Sequence, residues 1–168
     1  MRSQYICTEE LKHILAALTA ENRLACEISL ATGLRISDVL SLKTDDVKKQ
    51  RFTIKEMKTG KTRTVYLPKE LWQRAMQLAG RFYVFEHRTN SRQHRTRQAV
   101  FKDIRRAAFL FRCKERITPH SLRKAFAVEE FHKTCDIKRV QKLLNHSDEA
   151  VTYLYAMADE IDKRKKRA

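Results

Sequence analysis

A change of hydrophobic period between residues 51 and 68 constrains the fold more than any other feature of the sequence. In RFTIKEM the apolar residues Phe52 and Ile54 alternate with polar ones, and the alternation resumes in TRTVYLP after the turn-forming KTGK. Side chains of a β-strand point alternately to its two faces, and a glycine such as Gly60 suits a tight connection between two strands. The pattern therefore predicts a β-hairpin.

The segments on either side of this hairpin show the spacing and boundary residues of α-helices. Thr8 and Thr118 are predicted to cap helix starts, and Gly33 and Asn145 to end helices. We expect helices over about residues 8–18, 21–32, 69–79, 96–111, 119–132 and 137–144, with short ones beginning at Asp38 and after Ser147 or Asp148. The expected fold is one α+β domain over residues 1–168, mostly α with a small antiparallel sheet, ending in a basic tail over about 159–168.

The stretch between these helices near residues 82–98 allows more than one interpretation. Phe82 to Phe85 are apolar enough for a short buried strand. The following HRTNSRQHRTRQ has the composition of a polar loop, which suits either contact with phosphates or simple solvation. Farther on, Phe109 and Phe111 are expected on the apolar side of the helix that begins near Thr96.

The charge balance points to nucleic acid as the partner. The chain of 168 residues carries 36 Lys and Arg against 20 Asp and Glu, a formal net charge of +16. Such a surface attracts a phosphate backbone and steers encounter with it. A basic surface with another purpose, as in a ribosomal protein, is the alternative on composition alone.

The cysteines and the apolar runs indicate where the protein is located and which sites it lacks. The 4 cysteines lie far apart and form no CxxC pair, so we expect reduced structural thiols and no zinc site. No apolar run approaches the roughly 20 residues needed to cross a bilayer. We therefore expect a soluble intracellular protein with no membrane partner, no metal and no cofactor.

Reactive side chains concentrate between residues 117 and 155. His120 and Arg123 are spaced to share one face of a helix start, where the helix dipole favours an anion. His146 follows the next helix, and Tyr153 and Tyr155 offer two candidate nucleophiles. Each histidine alone is more often a structural or surface residue, so the significance of this stretch depends on partners elsewhere in the chain.

Those partners occur in a recognisable order. An arginine lies in TGLRISD, a lysine in the hairpin sequence MKTGKTRTVYLP, HSLR begins a helix, and LLNHS precedes a tyrosine. This order resembles the tyrosine recombinases of the phage-integrase family, as a catalytic domain covering nearly the whole chain. The resemblance implies a catalytic set of six residues: Arg35, Lys58, His120, Arg123, His146 and Tyr155. It also implies that Asp38 is a supporting acid.

The resemblance also decides between neighbouring candidates. The family's nucleophile stands nine residues after the histidine of LLNHS, which selects Tyr155 rather than Tyr153. Lys61 is close enough to Lys58 to remain an alternative for the hairpin lysine. Asn145 stands where the family usually has glycine, and asparagine tolerates the same backbone conformation.

The implied chemistry is a DNA transesterification. The tyrosine attacks a phosphodiester, leaving a 3′-phosphotyrosyl link and a free 5′-hydroxyl. Arg35 and Arg123 would bind the non-bridging oxygens, and Lys58 would protonate the leaving oxygen. His120 would accept or orient the tyrosine proton, and His146 would donate a hydrogen bond to the phosphate.

The implied partner is double-stranded DNA, bound by a homo-tetramer only in a synaptic complex. The chain is expected in a bacterial cytoplasm, nucleoid-associated and encoded by a bacterium or a phage, either as a complete small recombinase or as a fragment of a longer integrase. The alternatives are a type IB topoisomerase-like nicking-closing enzyme and a non-catalytic DNA-binding regulator. DNA contacts are expected from basic residues on the hairpin, in the polar segment and near the site: Lys61, Arg63, Arg92, Arg95, Arg97 and Lys124.

Overall fold

A computed structural model describes residues 5–161 of the chain. Helices and short antiparallel strands follow one another in this order: α1 Thr8–Ala16, α2 Ala20–Thr32, α3 Ile36–Leu40, β1 Arg51–Lys55, β2 Thr62–Tyr66, α4 Lys69–Leu78, β3 Glu86–His87, β4 Asn90–His94, α5 Arg97–Leu110, α6 Pro119–Thr134, α7 Ile137–Leu144 and α8 Glu149–Ala156. The basic part of the predicted tail, residues 162–168, lies outside the described residues. Within residues 5–161, no helix is both long enough and apolar enough to cross a membrane.

The apolar core surrounds α2. Its residues Leu24 and Ile28 are buried together with Leu40 of α3, Ile104 of α5 and Leu122 of α6. A smaller cluster, formed by Phe126, Ala127, Val140 and Leu144, joins α6 to α7. Burial of this apolar surface provides the main stabilisation, and it holds the ends of α2, α6 and α7 close together.

The predicted hairpin is confirmed. Strands β1 and β2 pair antiparallel, with Phe52 opposite Val65 and Ile54 opposite Arg63. The burial of β1 alternates between exposed and buried residues, and Gly60 in the turn has a φ of 67°. A left-handed backbone of this kind favours glycine, which explains its place between the strands.

Helix boundaries agree with most of the predicted caps. The Thr118 hydroxyl accepts from the His120 amide, and Ser121 completes a capping box around Pro119. Asn145 ends α7 in the left-handed region with a φ of 54°, and Asp148 caps α8. These short polar side chains satisfy backbone groups that a helix end leaves unpaired.

The predicted start of the first helix needs a correction, as does that of α3. Cys7, and not Thr8, is at the N-cap of α1, and the Thr8 hydroxyl instead donates to Glu129. Helix α3 begins at Ile36 rather than Asp38, so that Arg35 becomes its N-cap residue. Both corrections follow from tertiary contacts that local cap preferences do not include.

The prediction of a polar loop after residue 85 also needs a correction. This segment forms a second hairpin, β3–β4. Strand β4 is almost entirely exposed, so no apolar alternation marked it in the sequence. In place of the expected strand over residues 82–85, Tyr83 forms an isolated bridge with Lys43. Phe109 and Phe111, expected on the apolar side of α5, are 84% and 53% exposed.

Gly33 lies where the end of α2 approaches α6 closely. It caps α2 with a φ of 68°, and a Cβ added there would lie 2.5 Å from the Phe126 ring. Gly60 has a nearly equal φ but open space around it. We expect Gly33→Ala to lower the free energy of unfolding by about 3 kcal/mol or more and Gly60→Ala by about 1–2 kcal/mol. Chemical denaturation measures both, and equal losses would contradict the packing argument.

Candidate active site

One concave pocket brings together all of the residues predicted to be catalytic. Its wall contains Arg35, Lys58, Thr59, His120, Arg123, Asn145, His146, Ser147, Asp148, Val151 and Tyr155. They come from the N-cap of α3, the β1–β2 turn, α6, the α7–α8 connection and α8. Residues far apart in the sequence thus converge because the ends of these elements meet.

Arg123 is the most deeply buried member of this group, with only 2% of its surface exposed. Its guanidinium donates from Nη1 to the Gly33 carbonyl and from Nη2 to the Leu144 carbonyl, the latter at 3.0 Å. These carbonyls lie at the C-terminal ends of α2 and α7, where helix dipoles favour a cation. Burial, and then the nearby Arg35, lower the pKa of Arg123 to about 10, so it remains charged at neutral pH.

Arg35 is held by a buried carboxylate. Its Nη1 lies 2.6 Å from Oε2 of Glu56, whose side chain is 0% exposed. Asp38, the predicted supporting acid, is also buried, and it accepts a hydrogen bond of 2.9 Å from the Met57 amide. Burial raises the pKa of Asp38 and the charge of Glu56 adds to this effect, while the Met57 hydrogen bond and Arg35 oppose it.

His146 is joined to both Arg123 and Tyr155. Its Nε2 lies 3.3 Å from Arg123 Nη2, its Nδ1 lies 3.2 Å from the Thr152 hydroxyl, and its ring meets that of Tyr155 edge-on with centroids 5.1 Å apart. A guanidinium only donates, so Nε2 must accept and the ring proton must be on Nδ1. Burial, and then Arg123, lower the pKa of His146 to about 4.

This tautomer changes the expectation for His146. With Nε2 occupied as an acceptor, the ring has no proton to donate to a phosphate in this arrangement. The role supported by the contacts is instead to orient Arg123 and to pack against the Tyr155 ring. Thr152, fully buried beneath the ring, completes this arrangement by accepting from Nδ1.

His120 occupies the first turn of α6, at the mouth of the pocket. Partial burial lowers the pKa of its ring, and the positive charges of Arg123 and Arg97 lower it further. The neutral ring is therefore favoured at neutral pH, and a neutral imidazole can accept a proton.

The geometry separates the two pairs of neighbouring candidates. Lys58 lines the pocket, whereas Lys61 is exposed outside it. Tyr155 lines the same pocket and lies beneath the Lys124 ammonium, whose Nζ is 5.9 Å from the ring centroid. Tyr153 is 48% exposed and is absent from the wall. These positions favour Lys58 and Tyr155.

The basic residues predicted to contact DNA divide into two groups. Arg97 lines a second cleft, which shares Arg35 and His120 with the pocket, and Arg92 is exposed on β4. Arg63 and Arg95 require a correction because their side chains are only 10% and 20% exposed.

Both corrected residues have partners within the chain. Arg63 Nη2 donates to the Thr32 carbonyl, and its Nη1 lies 3.9 Å from Glu56. Arg95 donates from Nε to Asn22 at 2.7 Å. Asn22 is about 16 Å along α2 from Gly33, which places Arg95 away from the pocket.

Glu56 and Thr152 were missed by reasoning from the sequence. Glu56 occupies an inward-facing position of the hairpin, in phase with Phe52 and Ile54, and this phase was the signal for a buried carboxylate. Thr152 carried no comparable signal, since a threonine within a helix is ordinary. Across residues 5–161, no three or more His, Cys, Asp or Glu side chains are grouped to hold a metal ion.

Comparisons with known proteins show what the chain is similar to. The sequence profile described as the Phage integrase family matches residues 4–161. The probable integrase/recombinase YoeC of Bacillus subtilis (strain 168) is 29% identical over 161 residues, covering 93% of this chain and 88% of that protein. The tyrosine recombinase XerD of Listeria monocytogenes serotype 4b (strain F2365) is 33% identical over 146 residues, covering 80% of this chain and 49% of XerD.

A solved structure shows the same fold. A lambda integrase dimer bound to a COC′ core site superposes with a TM-score of 0.77 at 20% identity, over 93% of this chain and 48% of the integrase chain. The chain thus spans about half the length of XerD and of lambda integrase.

The burial of His146 and its position beside Arg123 predict its titration. Between about pH 6.5 and 4 the unfolded chain binds a proton at this residue and the folded chain does not, so His146 makes the protein less stable as the pH falls through this range. We expect ¹⁵N NMR of the imidazole to show the Nδ1–H form from pH 8 to 5. The same chain unfolded in urea is the control, and a folded midpoint near 6.5 would contradict the assignment.

Proposed function

The chain belongs to the phage integrase family, and from that premise we propose that it is a site-specific DNA recombinase that cleaves and rejoins strands through a 3′-phosphotyrosyl intermediate. The observation that carries the proposal is a convergence of six side chains on one pocket: Arg35, Lys58, His120, Arg123, His146 and Tyr155. Since the chain spans only part of several relatives, its substrate and its assembly are included in the proposal.

In the proposed reaction, the Tyr155 hydroxyl oxygen attacks the phosphorus of a DNA phosphodiester. The bond from phosphorus to the 5′-oxygen breaks, and the 3′-phosphate remains on the tyrosine. The phenolic proton passes to neutral His120, and Lys58 gives a proton to the departing 5′-oxygen. Because the phosphotyrosyl bond replaces a phosphodiester, a 5′-hydroxyl from another strand can reverse the step and join the DNA.

Arg35 and Arg123 would stabilise the negative charge that grows on the non-bridging oxygens. The carbonyls of Gly33 and Leu144 already fix Arg123. A donor that is held in place before the reaction avoids reorganisation, and loss of one such donor typically costs about 10²–10³-fold in rate.

Double-stranded DNA is the proposed partner. The net charge of +16 supplies long-range attraction, and exposed Arg97 and Lys61 lie beside the pocket on α5 and the hairpin. Arg92 would extend the contact along β4, and Lys124 would reach a phosphate next to Tyr155. We place this reaction in a synaptic tetramer, acting on bacterial or phage DNA in the cytoplasm.

Covalent capture tests the nucleophile. The substrates are nicked duplexes, taken from the DNA on both sides of the gene and from a pool of random sequence. After cleavage a nicked duplex loses the short fragment that carries the 5′-hydroxyl, so the strand cannot be rejoined and the adduct is trapped. We expect a protein–DNA adduct with the natural chain and with Tyr153→Phe, and none with Tyr155→Phe, because only Tyr155 faces the phosphate-binding arginines.

Three other outcomes would overturn parts of the proposal. An adduct that survives in Tyr155→Phe would refute the nucleophile, and DNA binding without any adduct would support a regulator that lacks catalysis. Relaxation of a supercoiled plasmid that contains a single site would support nicking and closing without synapsis.

A matched pair of arginines tests the DNA surface. We expect Arg97→Ala to weaken DNA binding and to lower the slope of log affinity against log salt by about 1, because it removes one phosphate contact. Arg95→Ala should leave that slope unchanged and lower the free energy of unfolding by about 1–3 kcal/mol, because it breaks charged hydrogen bonds to α2. Fluorescence anisotropy and urea denaturation measure these effects, and a reversed pattern would show that the two side chains have been misplaced.

A further inference from the structure

Glu56 is a buried carboxylate that the proposed reaction leaves without a role. It follows β1 directly, and its side chain is 0% exposed. Its Oε2 accepts two hydrogen bonds, one of 2.6 Å from Arg35 Nη1 and one of 3.0 Å from the Thr59 hydroxyl. A single oxygen atom thus links the phosphate-binding arginine to the residue that follows Lys58.

The backbone of the turn is anchored at the same residue. The Glu56 carbonyl accepts from the Gly60 amide at 2.8 Å, and the Glu56 amide donates to the Lys61 carbonyl at 3.0 Å. Between them, the Met57 amide donates to Asp38 on α3. The turn that carries Lys58 is therefore closed on Glu56 and tied to the helix whose N-cap is Arg35.

Charge explains why a carboxylate is tolerated here. Arg35 and Arg123 face the pocket, and Arg63 is packed beneath it, with Nη1 at 3.9 Å from Glu56 Oε1. Guanidiniums grouped away from water repel one another unless anions lie between them. Glu56 and Asp38 supply that negative charge from inside the protein, before any phosphate is bound.

We propose that Glu56 is a positioning residue that sets the place of Arg35 and of the Lys58 turn relative to each other. The inference rests on the proposed function, in which Arg35 binds the phosphate and Lys58 protonates the leaving oxygen. Loss of the Thr59 bond frees the turn and slows protonation of the leaving group. Loss of the Glu56 charge also releases Arg35 and so weakens stabilisation of the phosphate.

Thr59→Val keeps the shape of the side chain and leaves every charge in place. It removes the hydroxyl that donates to Glu56 and accepts from the Lys61 amide. Thr59→Ser, which retains the hydroxyl, is the conservative counterpart. Thr64→Val, at an exposed position of β2 in the same hairpin, is the matched control. Glu56→Gln removes the charge with little change of volume.

The first measurement needs no DNA. Amide hydrogen exchange of the free protein should become about tenfold faster at Gly60 in Thr59→Val, because the turn opens more readily. Thr59→Ser and Thr64→Val should match the natural chain. Unchanged exchange in Thr59→Val would overturn the inference, whatever becomes of the proposed function.

The second measurement compares the cleavage rates of two nicked duplexes. One is the natural DNA, and the other has sulfur in place of the scissile 5′-oxygen. A thiolate leaves without protonation, so a defect confined to the general acid disappears with sulfur. We expect Thr59→Val to cleave the oxygen duplex about tenfold more slowly and the sulfur duplex like the natural chain. Glu56→Gln should be about tenfold or more slower on both, since Arg35 is also affected.

The role of Glu56 and the role of Lys58 as the general acid can fail separately. If Lys58→Ala is not rescued by sulfur, Lys58 is not the general acid, and the proposed function is wrong at that residue. If Lys58→Ala is rescued but Thr59→Val is equally slow on both duplexes, the link from Glu56 to the lysine turn is wrong. Cleavage of both duplexes by Glu56→Gln at the natural rate would refute the link to Arg35.

Discussion

The arrangement of the pocket depends on one buried cation. The guanidinium of Arg123 is taken out of water and compensated by the carbonyls of Gly33 and Leu144, at the C-terminal ends of two different helices. An unpaired charge in such a place would cost several kcal/mol, so the helices must end where the arginine can reach them. The left-handed residues Gly33 and Asn145 make those endings, and the pocket lies where the helix ends meet.

The charges around Arg123 explain the chemical states of the site. Burial, and then the nearby arginines, lower the pKa values of His120 and His146, so that both rings are neutral at neutral pH. One neutral ring, at the mouth of the pocket, can accept a proton, and the other is held by Arg123 and Thr152. Permanent positive charge therefore comes from arginine and lysine, which suits a site that must bind a phosphate throughout a reaction.

The sequence predicted the parts of the fold that local signals determine. Alternation revealed the first hairpin, and Thr118 and Asn145 marked helix ends that place Arg123 and His146. The second hairpin was not predicted because nearly every residue of β4 is exposed and the strand carries no apolar period. The burial of Arg63 and Arg95 was not predicted for a different reason. An arginine has the same appearance in the sequence whether it faces solvent or a carbonyl of its own chain. The candidate site came from the order of motifs, whereas Glu56 and Thr152 became visible only through their contacts.

The most direct measurement of the central claim is the chemical structure of the trapped adduct. Trypsin and nuclease digestion of the protein–DNA complex, followed by tandem mass spectrometry, identifies the modified residue and the side of the phosphate that remains attached. We expect a nucleotide joined through its 3′-phosphate to Tyr155, and a free 5′-hydroxyl on the released strand. A 5′-phosphate linkage, or attachment to any other residue, would contradict it.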